Sequence, residues 1–257
     1  MVNKEAAMRI TVDGVRADGR REPMLTSVGF SWATGEALLA AAEPGHGHTA
    51  LALVATGRFV PSAGTVRLDG AEVTPARLRR ISAVVDVLGL NDPDDALTLA
   101  DVVAEGLALA GRRSWPRDVA RWLDAHGLTP DRGRRVDQLP GAVRTAVLAG
   151  LAVEDPEVRF VVLTLPDRHG GDPADWWDLA RSLAAGGTGV LVQCTRSSAR
   201  DLGVDLPAAV GDTLHAPPRV VRREVLRPSG PDPEVEPEGD PGTRQDTEPA
   251  EAEEAAR

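Results

Sequence analysis

Lysine is almost missing from this 257-residue chain: Lys4 is the only one, and every other fully charged cationic side chain is an arginine. Tyrosine is absent and aromatics make up 3% of the residues, so burial has to come mostly from Val, Leu and Ala. A single cysteine, Cys194, excludes an internal disulfide and a cysteine-rich metal site, and it fits a reducing compartment. No stretch approaches the ~20 apolar residues that span a bilayer, and the opening MVNKEAAMRITVDG has no apolar signal core. The expectation is a soluble chain whose membrane role, if it has one, runs through a partner.

What is present is enough for one α/β domain with appendages, since 42% of the residues are hydrophobic. The formal charge of −10 is unevenly spread. Residues 231–257 hold ten acids against Arg244 and Arg257, a net −8, which leaves about −2 for everything before them. A body so near neutrality offers no broad basic surface, and nucleic acid is not expected as a partner. Beyond about residue 227 the composition is Pro, Gly, Glu and Asp, which predicts a disordered acidic tail.

Along the chain, Ile10 to Val12 and Val28 to Trp32 alternate as short strands around the polar stretch Asp18 to Pro23. Ala37 to Ala42 is a continuous small-apolar run, as a buried strand would be, and it leads into turn chemistry at Glu43 to Thr49. A helix over Ala50 to Gly57 follows, with Thr49 as its cap. Pro61-Ser62-Ala63-Gly64 turns into a strand at Thr65 to Leu68, closed by Asp69-Gly70. Ile81 to Val85 reads as a strand. Helical patterns cover Leu99 to Ala110, Arg117 to His126 and Val143 to Val153. Phe160 to Leu163 and Val190 to Gln193 are buried strands flanking a helix at Asp175 to Ala185, and residues 206–226 read as short terminal strands. Strands alternating with helices predict an α/β sheet with an inserted helical block at about 90–155.

The strand–turn–helix at 37–57 makes a family visible. Ala42-Glu43-Pro44-Gly45-His46-Gly47-His48-Thr49-Ala50, with the Pro-x-x-Gly turn and Asp-Gly ending downstream, resembles the Walker A opening of ATP-binding cassette (ABC) nucleotide-binding domains. The resemblance spans about residues 8–226. It implies a P-loop NTPase-like cassette: a mixed sheet core, an antiparallel β edge and an inserted helical subdomain. It also places Asp86 at the Q-loop position, and Leu139-Pro140-Gly141-Ala142-Val143 at the signature. Thr164 and Leu165 fall at Walker B, Asp172 at the D-loop and Thr195 at the switch.

Most of those positions lack the chemistry that the family uses. A phosphate loop works through backbone N–H groups at a helix N-terminus and a lysine that reaches the β- and γ-phosphates. Gly45, Gly47 and Thr49 are retained, but the first glycine is Ala42 and the lysine is His48. With no lysine anywhere but Lys4, no shifted alignment restores it. The Walker B metal ligand and the glutamate that handles water align with Thr164 and Leu165, and the nearest carboxylate is Asp167, beyond Pro166. Pro140 brings neither hydroxyl nor N–H to the signature. Catalysis of this kind is nearly all electrostatic, so hydrolysis by a homodimer is expected to be negligible.

The resemblance implies a transmembrane subunit or a second cassette as partner and a place in the cytoplasm at the inner membrane face. ATP with Mg²⁺ is expected to bind weakly if at all. Three functions remain open: a structural or regulatory cassette without turnover, a slow or partner-completed ATPase, and a nucleotide sensor. His46 and His48 are read as solvent-facing substitutions, with no metal expected because no third ligand lies nearby in sequence. Cys194 is read as core filler. Of Trp176 and Trp177, one is expected in the core and the other near a surface.

Overall fold

The computed structural model describes residues 7–206 and 217–222. The expected acidic tail therefore lies outside the described residues, as does most of 206–226 apart from one strand.

Two sheets carry the body. In the first, β1 (Arg9–Asp18) and β2 (Pro23–Ala33) pair antiparallel, and β4 (Ala63–Leu68) and β5 (Ala71–Glu72) extend it in the order β2-β1-β4-β5. β1 and β2 are much longer than the alternation at Ile10 to Val12 and Val28 to Trp32 implies. Register shifts between Val12 and Asp18 break the period-two pattern while the ladder continues. The second sheet has the order β6-β7-β8-β3-β9, with β6 (Ser82–Val85), β7 (Phe160–Thr164), β8 (Gly189–Thr195) and β3 (Ala37–Ala42) parallel. β9 (Arg219–Arg222) is antiparallel at its edge.

The parallel strands are buried on both faces, which is why they read as unbroken apolar runs. One face, with Leu38, Ala40, Val162 and Leu191, packs on Leu51 and Val54 of α1 (His46–Ala55) and on Trp32 of the antiparallel sheet. The opposite face, with Leu39, Val161, Leu163 and Val192, packs on Trp176, Trp177 and Ala180 of α6 (Pro173–Ala185). Both tryptophans are buried there, so the expectation that one lies near the surface is corrected: 176 and 177 straddle the helix edge that meets the sheet. Cys194 fills this core and is fully buried, which pushes its thiol well above the ordinary range.

The helical block has its own core, formed by α3 (Leu99–Leu109), α4 (Pro116–Ala125) and α5 (Gly141–Ala152) around Val103, Leu107, Trp122, Leu123, Val147 and Leu151. α3 starts with a capping box between Thr98 and Asp101. The sequence reading contains no helix between Gly70 and Ile81, yet α2 (Pro75–Ile81) is there. It is capped by Thr74, which accepts from Arg77 N, and Ile81 is its last residue rather than the first of a strand. A short helix, α7 (Arg196–Asp201), follows β8. No described helix is long and apolar enough to cross a membrane.

Candidate functional site

Because β6, β7, β8 and β3 run parallel, their carboxyl ends lie along one edge of the sheet, where α/β proteins place ligands. The loops leaving that edge carry most of the residues singled out in the sequence. They form two polar clusters.

The first lies under the start of α1. Gly45 is the helix N-cap in extended backbone (φ 165), and no side chain caps the helix. The helix begins at His46, four residues before the expected start, so Thr49 is inside its first turn and does not cap it. The first-turn amides and Thr49 are thus free of side-chain capping, and the positive end of the helix dipole points at the loop. No residue from 42 to 49 adopts the left-handed conformation.

His46 is exposed, as expected of a solvent-facing substitution, but His48 is not: it is 0% exposed. Position 48 is the third residue of the helix and turns inward, and neither ring nitrogen has a hydrogen-bond partner. Burial lowers its affinity for a proton. The carbonyl of Ala42, the charge of Asp167 and the carbonyl of Glu43 act in the opposite sense without closing a hydrogen bond of ordinary geometry, and the ring stays below its usual pKa.

Thr164 and Gln193 are register partners on β7 and β8 and share the sheet face that α1 covers. Thr164 Oγ1 and both polar atoms of the Gln193 side chain are buried without partners. Asp167, beyond the expected Walker B position, turns back to this edge. Its Oδ2 accepts from Thr195 N (2.8 Å), Thr195 Oγ1 (2.6 Å) and Ser198 Oγ (2.7 Å), while Oδ1 is buried and unpaired. Thr195 also caps α7 by accepting from Ser198 N.

The second cluster centres on Asp86, just past β6. It is nearly buried, and each carboxylate oxygen has two cationic or donor neighbours. Oδ1 meets Arg144 Nη2 (3.1 Å) and Arg168 Nη2 (2.7 Å), and Oδ2 meets Arg144 Nε (3.3 Å) and His169 Nε2 (2.7 Å). His169 Nε2 also lies 3.0 Å from Arg168 Nε. The same nitrogen cannot donate to Asp86 and accept from Arg168, and the short contact to a carboxylate selects donation. Burial alone would push the Asp86 carboxyl up. The hydrogen bonds from His169 and Arg144 and the charges of Arg168 and Arg144 outweigh it and hold the group at about 2.

Arg144 comes from the first turn of α5, the helix headed by the expected signature position, and Arg168 and His169 come from the turn after the expected Walker B position. One aspartate at the expected Q-loop position thus ties together segments that follow the expected signature and Walker B positions. Asp86 (φ 59) and Leu165 (φ 49) are two of the three described non-glycine residues in left-handed backbone.

The remaining positions have structural roles. Pro140 is the N-cap of α5. A Cβ on Gly141 would stand 2.6 Å from Gly170 O and 2.7 Å from His169 O, so glycine there permits close packing against the same chain. Leu139 and Val143 pack into the helical-block core, Ala142 lies half-buried between them in sequence, and Asp172 caps α6 by accepting from Ala174 N (2.8 Å). The Asp86 network escaped the sequence reading because Arg144 is 58 and His169 83 residues away. Beside Asp86, a groove of about 840 Å³ opens between β6 and the helical block, lined by Leu90, Leu97, Val102, Leu109 and Leu148.

No protein-family model matches the chain. It is 32% identical over 144 residues to an energy-coupling factor transporter ATP-binding protein of Lacticaseibacillus paracasei, covering 54% of this chain and 51% of that protein. It is 33% identical over 150 residues to a taurine import ATP-binding protein of Pseudomonas fluorescens, covering 54% and 53%. The chain spans about half the length of these curated relatives. Among solved structures, a nucleotide-free ATP-binding cassette from an ABC transporter superposes with a TM-score of 0.53 at 19% identity, over 74% of this chain and 82% of that one. A bacterial Atm1-family ABC exporter with ATP bound gives 0.53 at 17%, over 75% and 36%.

Proposed function

We infer that this chain, a member of the ABC nucleotide-binding domains by fold and sequence relationship, is a cassette without ATP turnover that acts as a structural or regulatory partner of a membrane protein or a second cassette. The observation that carries the reading is the state of the carboxylates. The Walker B positions hold Thr164 and Leu165, and Asp167, the nearest acid, has one oxygen committed to Thr195 and Ser198. Neither Thr164 nor Leu165 supplies a carboxylate to hold a metal-bound water, and a buried neutral His48 supplies no charge to a transferred phosphoryl group.

The partner would sit in the groove between β6 and the helical block, where Leu90 (58% exposed) and Leu109 (80%) stand out to solvent. The curated relatives are named as transporter ATP-binding proteins, and by that analogy the partner is a transmembrane subunit and the chain lies at the cytoplasmic membrane face.

One feature favours a nucleotide sensor as second reading: α1 begins with uncapped amides beside the Thr49 hydroxyl, which suits a phosphate and, through the hydroxyl, Mg²⁺. Phosphate release from Mg-ATP by the full chain, read beside calorimetric titration of ATP, separates the possibilities. No release above the protein-free rate is expected. Steady hydrolysis that disappears in His48→Ala would overturn the proposal. Binding without release, abolished by Thr49→Val, would select the sensor.

A further inference from the structure

The turn between α3 and α4 is basic in an otherwise acidic chain. Within Leu109 to Arg121 stand Arg112, Arg113, Arg117 and Arg121 against a single acid, Asp118, in a molecule of formal charge −10. Trp115 lies at the centre of the run and is 67% exposed. The other four tryptophans are buried: Trp32, Trp122, Trp176 and Trp177. An exposed indole forfeits the burial that the others gain, in a chain with few aromatics to use.

The backbone holds these side chains in place. Arg112 N donates to Leu107 O (2.8 Å) through left-handed Gly111, and Trp115 is the N-cap of α4, its carbonyl accepting from Asp118 N and Val119 N. Pro116 fixes the first helical residue. Arg117 and Arg121, four apart on α4, have side chains 73% and 72% exposed. The acids facing the run are few. Glu154 takes Arg112 Nε at 3.5 Å and the Trp122 indole N–H at 2.9 Å, and Asp118 takes Arg121 at 3.0 Å while Arg117 stands 4.0 Å away. Arg113 is exposed.

A rigid turn that presents an indole among guanidinium groups matches the interfacial zone of an anionic bilayer. There Trp settles at headgroup depth, and Arg binds lipid phosphate in a forked pair of hydrogen bonds. We propose that the α3–α4 turn, Arg112 to Arg121 with Trp115 at its centre, docks directly on an anionic lipid surface. This contact is separate from the protein partner proposed for the groove, and it survives if that reading fails.

The solitary exposed tryptophan makes the contact readable in the full chain. Vesicles of phosphatidylglycerol and phosphatidylcholine, with or without brominated acyl chains, are titrated at low salt, beside vesicles of phosphatidylcholine alone. A blue shift and quenching by the brominated lipid are expected only with the anionic vesicles, fading as salt is raised. Arg113→Gln and Arg117→Gln, both exposed and outside the helical-block core, are each expected to lower partitioning about five-fold. Trp115→Phe is expected to retain sedimentation with anionic vesicles but lose the optical signal, and Trp115→Ala to weaken sedimentation itself, with unchanged far-UV circular dichroism in each variant. Absence of binding to anionic vesicles, equal binding to neutral ones, or binding that ignores all these substitutions would overturn the proposal.

Discussion

The Asp86 cluster and the pocket under α1 share the carboxyl edge of one sheet, yet they solve the burial of polar groups in different ways. At Asp86 a carboxylate meets two guanidinium groups and an imidazole, and each of its oxygens has two neighbours. Under α1, His48, Thr164 and Gln193 keep polar atoms that touch no partner, and Asp167 keeps one unpaired oxygen. A buried charge without partners is far more costly than a buried neutral group, so charges concentrate where the chain can surround them. The neutral set persists at a smaller penalty of about 1–3 kcal/mol per unpaired group. The first cluster works as a clamp between sheet and helical block, and the second is where a water or ligand would find ready partners.

Removing the centre of the clamp gives the largest expected effect. Asp86→Ala leaves the buried Arg144 with only the largely exposed Asp95, 3.4 Å away, as counter-charge and sets Arg168 beside it, and is expected to lower unfolding free energy by about 3–5 kcal/mol in urea titration. A loss under 1 kcal/mol would mean that water reaches the cluster, and the contrast between the two regions would collapse.

Gly141→Ala tests the same clamp from the backbone side. The added methyl would sit 2.6 Å from Gly170 O, so α5 must move away from the turn that carries Arg168 and His169. A loss of about 2 kcal/mol is expected, within the usual range for overpacking. Full stability in the variant would show that this turn gives way easily and that the clamp is loose.

His48→Leu probes the unpaired pocket and should act in the opposite direction. Replacing an unpartnered buried imidazole by an apolar side chain is expected to raise stability by about 1–2 kcal/mol at pH 7.5. A loss instead would mean that a partner satisfies the ring in solution. Acid distinguishes the regions further. The folded His48 pKa is lowered, so as pH falls below the ordinary ~6.5 the unfolded chain takes up a proton that the folded ring refuses, and stability drops until the folded ring titrates. Asp86 has the same sign in a lower window: its contribution is complete above ~3.9 and is lost as pH falls through about 2. The difference between wild type and His48→Leu should therefore appear between pH 7 and 5, where Asp86 is silent.

How far each region was legible in the sequence follows from how local its interactions are. β3, β7 and β8 were readable because strands buried on both faces are written as unbroken apolar runs. α1 was placed too late because His-Gly-His is weak helix material, and the chain continues the helix back through it under tertiary constraint. α2 carries readable signals, Thr74-Pro75 at its start and Arg79-Arg80 at its end, but seven residues are too few for an apolar period to stand out. Arg144 directly follows the expected signature positions, yet nothing in that stretch points to Asp86. The inward turn of His48 was equally hidden, since a histidine in a glycine-rich stretch looks the same whether it faces water or core.

The smallest expected effect supplies a control for both regions. Asp172 is the residue expected at the D-loop, but its contact is a local cap: Oδ1 accepts from Ala174 N (2.8 Å) at the exposed start of α6. Asp172→Ala is expected to lower stability by about 0.5–1 kcal/mol, and Asp172→Ser, which keeps an accepting oxygen, by less. Because Asp172 belongs to neither cluster, its replacement should leave the pH 7 to 5 slope attributed to His48 unchanged in thermal unfolding. If Asp172→Ala altered that slope, the segment from Asp167 to Asp172 would be transmitting strain into the pocket through Asp167. The two regions would then be one coupled unit, and the energies of Asp86→Ala and His48→Leu would no longer add.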